Sequence, residues 1–311
     1  MPYFLGVDAG GTKTDFLLGD ATLTLARVRT GTIKLMRTGE AAAAANLDEA
    51  LTKLTAASGV AMSAIARCSI GAAGVTVPLV TDWLRQAFAE RVGGELIVVG
   101  DVEIALDAAF YGKRGVLAMA GTGSNVAGRA ATGETLTAGG WGPAMADQGS
   151  AHFLGLEGLR RGFLAVDRDE PSTLLERVCA EWGLGSIGEL IERANANPAP
   201  DFSALAPLVV ACAGEGDAAA REVVEQGGAD LAILVGLVIE RIRQIESRAG
   251  LEFTLPEVAV TGSILERVTL LRESLRDHLQ ARYPGLVFHS EPVDPAEGAL
   301  WLARQGLARS D

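Results

Sequence analysis

A glycine turn between two apolar segments near the start of the chain decides the fold: Asp8-Ala9-Gly10-Gly11-Thr12-Lys13-Thr14. Residues 3–7 before it and residues 14–18 within and after it form apolar runs typical of buried strands, so the pattern predicts a β-hairpin. The backbone N–H groups and hydroxyls of such a turn are able to surround a phosphate, because glycine places no side chain in the way. An ordinary hairpin turn also needs glycine, and that alternative stays open.

The same kind of turn occurs a second time, in Gly121-Thr122-Gly123-Ser124-Asn125. It follows an apolar segment at residues 115–120, and residues 124–130 are predicted to form the returning strand. A third glycine-rich stretch comes next, Gly140-Trp141-Gly142-Pro143-Ala144-Met145-Ala146-Asp147-Gln148-Gly149-Ser150-Ala151. Two such turns predict two phosphate-binding loops that hold one phosphate group between two domains.

The elements predicted around the two turns follow a similar order in each half. The first half contains strands at residues 3–7, 14–18, 24–29, 65–70 and 95–99, and helices at 41–57, 80–91 and 101–111. The second half contains strands at 115–120, 124–130, 135–138, 258–260 and 286–289, and helices from about 149 and at 172–182, 186–194, 202–213, 218–249 and 265–282. This order predicts an α/β fold with domains at residues 1–112 and 113–311, and a last helix from about residue 295 that packs back onto the first domain.

The composition is that of an ordinary globular protein without a nucleic-acid surface. The 311 residues are 49% hydrophobic and 21% charged, and a net charge of -12 argues against a nucleic-acid surface, which needs a basic stripe. Cys68, Cys179 and Cys212 are too far apart for a disulfide framework or a paired metal motif, so we expect a reducing, cytoplasmic setting. No segment is typical of a membrane span or a secretion signal.

Six motifs follow one another in a recognisable order over most of the chain. They are Asp8-x-Gly-Gly-Thr-Lys-Thr, Asp101 at a strand end, Gly121-Thr-Gly-Ser-Asn, Gly139-Gly-Trp-Gly, Asp147-x-Gly-Ser and Thr261-Gly-Ser. This order resembles the N-acetylglucosamine kinase family, within the BadF/BadG/BcrA/BcrD ATPase group of the actin and hexokinase superfamily. The resemblance implies two ribonuclease-H-like domains, ATP and Mg²⁺ in the cleft between them, and transfer of the γ-phosphoryl group to a sugar hydroxyl.

The resemblance also implies which residues bind the nucleotide and the metal. Asp8 would meet magnesium, which takes few protein ligands and keeps several waters. The residues implied to surround the phosphates are Gly10, Gly11, Thr12, Lys13, Thr14 and Thr122. Those implied to border the adenosine are Gly214, Gly262 and Ser263.

Asp101 falls where these kinases keep the carboxylate that receives the proton of the attacking hydroxyl. It follows the predicted strand at residues 95–99 and precedes a helix, so it faces the end of the sheet where a substrate would lie. The alternative is that Asp101 only caps that helix, since Asp is a preferred N-cap residue.

By the same resemblance, the sugar-binding positions are Gly123, Trp141, Asp147 and Ala151. A carboxylate accepts hydrogen bonds from adjacent hydroxyls, and an aromatic ring covers the apolar face of a pyranose. A core aromatic is the alternative for Trp141, although the glycines on both sides favour an irregular segment.

The sequence departs from the family pattern at three positions of the sugar site. Gln148 replaces the usual Glu, Ala73 replaces a small hydroxyl residue, and Lys34 stands where the family often has Asn. If Lys34 faces the substrate, it favours an acidic sugar. The ordinary alternative is a solvated surface lysine.

We therefore predict an ATP-dependent kinase of an amino sugar such as N-acetylglucosamine or glucosamine, with two alternative functions to consider. An ATPase that activates a reductase or dehydratase would need paired cysteines for an iron–sulfur cluster, which the spacing of the three cysteines does not offer. A non-catalytic sugar or nucleotide sensor would have no use for Asp8 and Asp101.

The long helix at 218–249 could carry a homodimer seam through Leu231, Leu234 and Ile239, or could simply belong to the core.

Overall fold

The structure is a computed structural model, and it describes residues 2–305. Within that range the strands are β1 Tyr3–Ala9, β2 Lys13–Gly19, β3 Thr24–Gly31, β4 Ile65–Ala72, β5 Glu95–Gly100, β6 Gly115–Ala120, β7 Ser124–Arg129, β8 Thr135–Gly139 and β9 Val258–Thr261. The helices are α1 Leu35–Thr38, α2 Glu40–Ser58, α3 Pro78–Ala89, α4 Asp101–Phe110, α5 Ala151–Asp167, α6 Leu174–Trp182, α7 Ile187–Ala194, α8 Ala206–Gly214, α9 Ala218–Arg248, α10 Ser263–Arg267, α11 Thr269–Arg282 and α12 Pro295–Gln305.

The chain forms two compact units. Among the described residues, one comprises 2–113 together with 293–305, and the other comprises Arg114–Pro292. Each unit has a sheet flanked by helices, which confirms the predicted α/β fold.

The first unit is built on a five-stranded sheet in the order β3-β2-β1-β4-β5. β1, β2 and β3 pair antiparallel, and β4 and β5 extend the sheet parallel to β1. The register places Asp8 opposite Asp15 on one side and opposite Gly71 on the other. The carboxyl ends of β1, β4 and β5 therefore lie side by side at one edge of the sheet, next to the Gly10–Gly11 turn.

Helix α12 covers the face of this sheet that α2 and α3 leave open. A small core joins Phe4 and Leu17 to Ala296, Leu300 and Ala303, so both faces of β1 and β2 are buried. The approach is close enough that a Cβ on Gly6 would lie 2.3 Å from the backbone nitrogen of Leu300. Glycine is required at that contact because any side chain would overlap the helix backbone.

The second unit is built on a four-stranded sheet in the order β8-β7-β6-β9, in which β9 runs parallel to β6. The long helix α9 packs on this sheet. A Cβ on Gly128 would lie 2.5 Å from Val238 and 3.0 Å from Ile242. The glycine thus lets the helix sit close to β7 and bury its apolar stripe.

Some predicted elements differ from those observed. The late strand predicted at 286–289 is wrong, because only Phe288 forms a single bridge with Val258. The helix predicted at 265–282 is two helices, since Val268 between them has an extended ψ of 84°. Of the residues proposed for a dimer seam, Leu231 and Ile239 are fully buried in the core of the second unit. No helix in the part of the chain described here is both long and apolar enough to cross a membrane.

Candidate active site

The glycine turn of the first unit is held open by the loop that follows β3. The Thr32 hydroxyl donates a hydrogen bond of 2.7 Å to the carbonyl of Gly10 and accepts one of 3.0 Å from the backbone N–H of Lys34. The Thr14 hydroxyl is buried and accepts from the Ile33 N–H at 3.0 Å. These hydrogen bonds hold the buried side of the turn, while Gly11, Thr12 and Lys13 remain exposed. The half-buried Lys34 starts α1 close to this turn.

Asp8 lies at the centre of a group of carboxylates. Burial raises the pKa of Asp8 to about 7, and the nearby charges of Asp15 and Asp101 add to that rise. Asp294 adds a smaller share, whereas the ammonium of Lys13 lowers the pKa. A carboxylate in this position is stabilised by a cation, because the cation offsets both the lost hydration and the repulsion.

Asp101 lies at the carboxyl end of β5, as the position of its motif predicted. It is the first residue of α4, and Gly100 rather than Asp101 holds the N-cap position. The N-cap role considered for Asp101 is thus taken by Gly100, although Asp101 Oδ1 does accept a 3.0 Å hydrogen bond from the Val102 N–H. Only β4 separates β1 from β5, and the register places Asp8 level with Val99, two residues before Asp101. Two strand spacings put the backbones at Asp8 and Val99 about 10 Å apart.

Asp15 is a charged residue of this site that the sequence analysis did not single out. Its side chain is only 4% exposed and forms ion pairs with Arg27 at 3.0 Å and Arg29 at 2.9 Å. Burial alone would raise the pKa of Asp15, but the hydrogen bonds from the two arginines outweigh it and hold the pKa below its ordinary value. Alternation along β2 was a signal in the sequence that Asp15 shares a face with Asp8. Its two arginine partners follow only from the register between β2 and β3.

The glycine turn of the second unit is bound to the start of α5. The backbone N–H of Ala151 donates to the carbonyl of Gly121 at 2.8 Å, and Asp147 Oδ1 accepts from the Ser124 N–H at 2.7 Å. Asp147 Oδ2 accepts from the Ser150 hydroxyl at 3.1 Å. A Cβ on Gly123 would lie 3.1 Å from Asp147 Oδ1, so this glycine makes room for the carboxylate. Asp147 is therefore fixed beside the turn before any ligand binds.

Trp141 is on the surface and is not a core aromatic. Its side chain is 70% exposed, and Met145 in the same segment is 77% exposed. Gly140 and Gly142 on either side have φ angles of 72° and 92°, which few other residues adopt. The glycines thus present the indole ring to solvent, where it is free to cover a ligand.

Three polar atoms next to Asp147 are buried without a hydrogen-bond partner among residues 2–305. They are Ser124 Oγ, Asn125 Oδ1 and Gln148 Oε1. The backbone N–H of Ser124 itself donates to Asp147, Gln148 directly follows Asp147 in the chain, and Asn125 lies against Gly140. A buried acceptor without a donor is costly, so a ligand rich in hydroxyl or amide N–H groups would stabilise this region.

The residues implied to border the adenosine are found in two places. Gly262 has a φ of 97° and follows β9, and a Cβ there would lie 2.4 Å from the Ala120 carbonyl oxygen. Ser263 begins α10 with its hydroxyl close to Gly121, at 3.7 Å from the position of a Cβ. Both therefore lie beside the second turn, near Thr122. Gly214 is exposed at the end of α8, and its part in the site stays a prediction.

The residues of the first unit fit a magnesium ion held mainly by water and phosphate. Across residues 2–305 no three His, Cys, Asp or Glu side chains are placed to hold a metal together. Magnesium needs no such cage, because it keeps several waters and binds one or two carboxylates. Asp8 fits this role, since its raised pKa reports an uncompensated carboxylate beside the exposed turn.

A separate groove of about 700 Å³ lies elsewhere on the first unit. Its floor includes Leu51 and Met62, and the ion pair of Arg91 with Asp48 closes one side. Met62 precedes β4, so the groove is at the amino end of that strand, opposite the edge that carries Asp8. It is not part of the candidate site.

Two α/β units, each with a glycine turn after its first strand, define the fold of the actin and hexokinase superfamily of ATP-dependent proteins. A sequence model described as the BadF/BadG/BcrA/BcrD ATPase family matches residues 5–303. The chain belongs to this family.

Two relatives found by sequence comparison are named as amino-sugar kinases. The N-acetylmuramic acid/N-acetylglucosamine kinase of Clostridium acetobutylicum is 24% identical over 98% of this chain and 99% of its own length. The N-acetyl-D-glucosamine kinase of Dictyostelium discoideum is 28% identical over 96% of this chain and 97% of its own. A solved structure of a candidate N-acetylglucosamine kinase from Chromobacterium violaceum is 26% identical, with a TM-score of 0.74 and coverage of 97% and 99%.

Proposed function

We propose that the protein is an ATP-dependent kinase that phosphorylates a hydroxyl of an N-acetylated amino sugar. The observation that carries the proposal is the position of Asp101, at the carboxyl end of β5 and two strands from Asp8. A kinase of this type needs one carboxylate for the attacking hydroxyl and another for the metal. The names of the relatives support the choice of substrate class.

Asp101 is proposed to orient the sugar hydroxyl and to accept its proton as the oxygen attacks the γ-phosphate. Asp101 is the first residue of α4, so its negative charge lies at a helix N-terminus, which stabilises such a charge. Phosphoryl transfer needs little more from the protein than this positioning and charge stabilisation.

The exposed turn of the first unit is proposed to bind phosphate through the backbone N–H groups of Gly10, Gly11 and Thr12. Lys13 adds a positive charge there, and Asp8 would hold the magnesium ion through water. The ion neutralises charge on the phosphates when it is bound. Thr14 supports the turn from the buried side through its bond to Ile33.

Sugar recognition is proposed to involve the glycine-rich segment of the second unit. Trp141 covers an apolar sugar face, and Asp147 uses its remaining lone pairs to accept from sugar hydroxyls. The unpartnered Gln148 Oε1 accepts a further hydroxyl or amide proton. Lys34 would add affinity for a carboxylate on the sugar, which N-acetylmuramic acid carries and N-acetylglucosamine lacks.

A screen of ATP consumption over N-acetylglucosamine, N-acetylmuramic acid, glucosamine and glucose tests the proposal. We expect magnesium-dependent ADP formation above the basal rate with at least one N-acetylated sugar. Glucose is the matched control, because it has the same ring and differs from N-acetylglucosamine only by a hydroxyl in place of the acylamino group. If every sugar leaves ADP formation at the basal rate, the proposed function is wrong.

We also propose that the protein acts in the cytoplasm as a homodimer. Its cysteines are free thiols, as a reducing compartment would keep them.

The homodimer is proposed to form through α9, on which Ile233 and Leu237 are 55% and 47% exposed at the centre of one helix face. An antiparallel pair of α9 helices would stack Ile233 on the partner's Leu237 and bring Asp230 to the partner's Arg241. Light scattering should then report a dimer that Leu237→Glu converts to a monomer, and a monomeric wild type would refute it.

A further inference from the structure

Lys13, Asp15 and Asp8 share one face of the first hairpin. The register pairs Asp8 with Asp15, and alternation along β2 brings Lys13 to the same side. Lys13 is exposed and directly follows Thr12 of the turn, so its charge lies close to whatever binds at the turn.

The two oxygens of Asp15 have different partners. Oδ1 accepts hydrogen bonds from Arg29 Nε at 2.9 Å and from Arg27 at 3.0 and 3.4 Å. Arg27 is itself anchored by an ion pair with Asp294, just before α12. With Oδ1 fixed in this way, Oδ2 is left facing Lys13, whose Nζ lies 3.8 Å away.

The contact between Lys13 and Asp15 leaves the Lys13 ammonium accessible to a ligand. A separation of 3.8 Å is longer than a hydrogen bond, and the Lys13 side chain is 52% exposed. The ammonium is therefore kept near the turn without being buried or locked. Since Asp8 pairs directly with Asp15, Lys13 is the diagonal cross-strand neighbour of Asp8, about 7–8 Å away and within reach of a long side chain.

The geometry points to Asp15 as a positioning residue that keeps the Lys13 ammonium at the phosphate turn and away from Asp8. Without the charge of Asp15, the carboxylate of Asp8 becomes the stronger partner of Lys13 on this face. An ammonium drawn to Asp8 is lost to the phosphate and competes with the metal. This inference rests on the proposed function, because it takes the turn to be the site of the ATP phosphates.

The affinity for ATP and for AMP, measured by titration calorimetry on the full chain, tests this role. Lys13→Met should weaken ATP binding about tenfold, the size of one charge-assisted contact, and should leave AMP unchanged. Asp15→Asn keeps the shape of the side chain and an oxygen for the arginines, and should weaken ATP binding several-fold with AMP unchanged. A residue that served only the fold would weaken both nucleotides together.

The double variant decides whether Asp15 acts through Lys13. In the Lys13→Met background, Asp15→Asn should have no further effect on ATP affinity, because the ammonium it positions is gone. The matched control is the exposed pair of Lys53 and Glu49 on α2, which lie 2.5 Å apart. Lys53→Met and Glu49→Gln should leave both affinities unchanged. Thermal melting of each variant checks that it is folded.

Three results would overturn the inference. Fully additive effects of the two substitutions would show that Asp15 does not act through Lys13. Stronger ATP binding by Asp15→Asn would show that Asp15 is only a local negative charge. If the wild type binds AMP and ATP equally and Lys13→Met changes neither, the phosphate site itself is wrong, and the proposed function falls with the inference.

Discussion

Asp8, which is proposed to hold the metal, lowers the stability of the folded protein when its carboxyl is ionised. In the unfolded chain its carboxyl ionises near the ordinary value of 3.8, whereas in the folded chain its pKa is about 7. The folded state therefore binds the proton more tightly. Stability is fully retained below pH 3.8 and is lost progressively as the pH rises toward 7, because the ionised form is favoured in the unfolded chain.

Asp8→Asn should remove this pH-dependent loss. At pH 8 without magnesium we expect the variant to be more stable than the wild type by about 2–4 kcal/mol, and at pH 4 the two should be nearly equal. Thermal or urea unfolding across this pH range measures the difference. A gap that does not change with pH would contradict the assignment of the raised pKa to Asp8.

Magnesium should act on the same carboxylate. Added at pH 8, it should raise the melting temperature of the wild type and not that of Asp8→Asn, because binding to the folded state stabilises it. In the kinase assay the variant should need a higher magnesium concentration. An unchanged magnesium titration would remove Asp8 from the metal site.

Lys34 bears on which sugar is preferred. If its ammonium contacts the carboxylate of an acidic sugar, Lys34→Asn should lower kcat/KM for N-acetylmuramic acid relative to N-acetylglucosamine by about tenfold. Steady-state kinetics with the two sugars measure the ratio. An unchanged ratio would make Lys34 a surface lysine and N-acetylglucosamine the better substrate assignment.

Among the elements, α12 supports the candidate site from the far end of the chain. It packs on β1 and α4, the two elements that carry Asp8 and Asp101. The contact with α4 depends on Gly298, where a Cβ would lie 1.9 Å from the carbonyl oxygen of Ile104. Backbone atoms cannot rotate away from such an overlap, so a larger residue must move one helix.

Gly298→Ala should therefore destabilise the protein by about 1–3 kcal/mol or more. The matched control is Gly188→Ala in α7, where the added methyl would lie 3.7 Å from the Ser186 hydroxyl, at ordinary contact distance. The control should gain about 0.5–1 kcal/mol from helix propensity. Urea unfolding of both variants tests this, and equal effects would show that the close contact is not what determines stability.

For the whole molecule, the sequence was informative wherever local pattern decides structure. Apolar runs and glycine turns located β1 and β2 and their counterparts β6 and β7, and the motif order indicated the family. The bridge at Phe288 could not be distinguished from a strand, because pairing depends on β9 and not on the segment itself. The break at Val268 was missed since a helical pattern continues on both sides of it.

The candidate site was predictable in part, for a similar reason. Residues tied to a turn or a strand end, such as Asp8 and Asp101, are identified by neighbouring residues in the sequence. The ion pairs of Asp15 join three strand positions and require the register of β2 and β3. The exposure of Trp141 depends on the φ angles of its flanking glycines, and the sequence left a core position open.

The most direct measurement is the single-turnover rate of sugar phosphorylation by Asp101→Asn, with the affinity for ATP measured on the same protein. The amide keeps the shape of the side chain but cannot take the proton of the hydroxyl. We predict a rate at least about 10²-fold below that of the wild type, with ATP affinity unchanged. A near-normal rate would contradict the role of Asp101 and, with it, the mechanism proposed for this site.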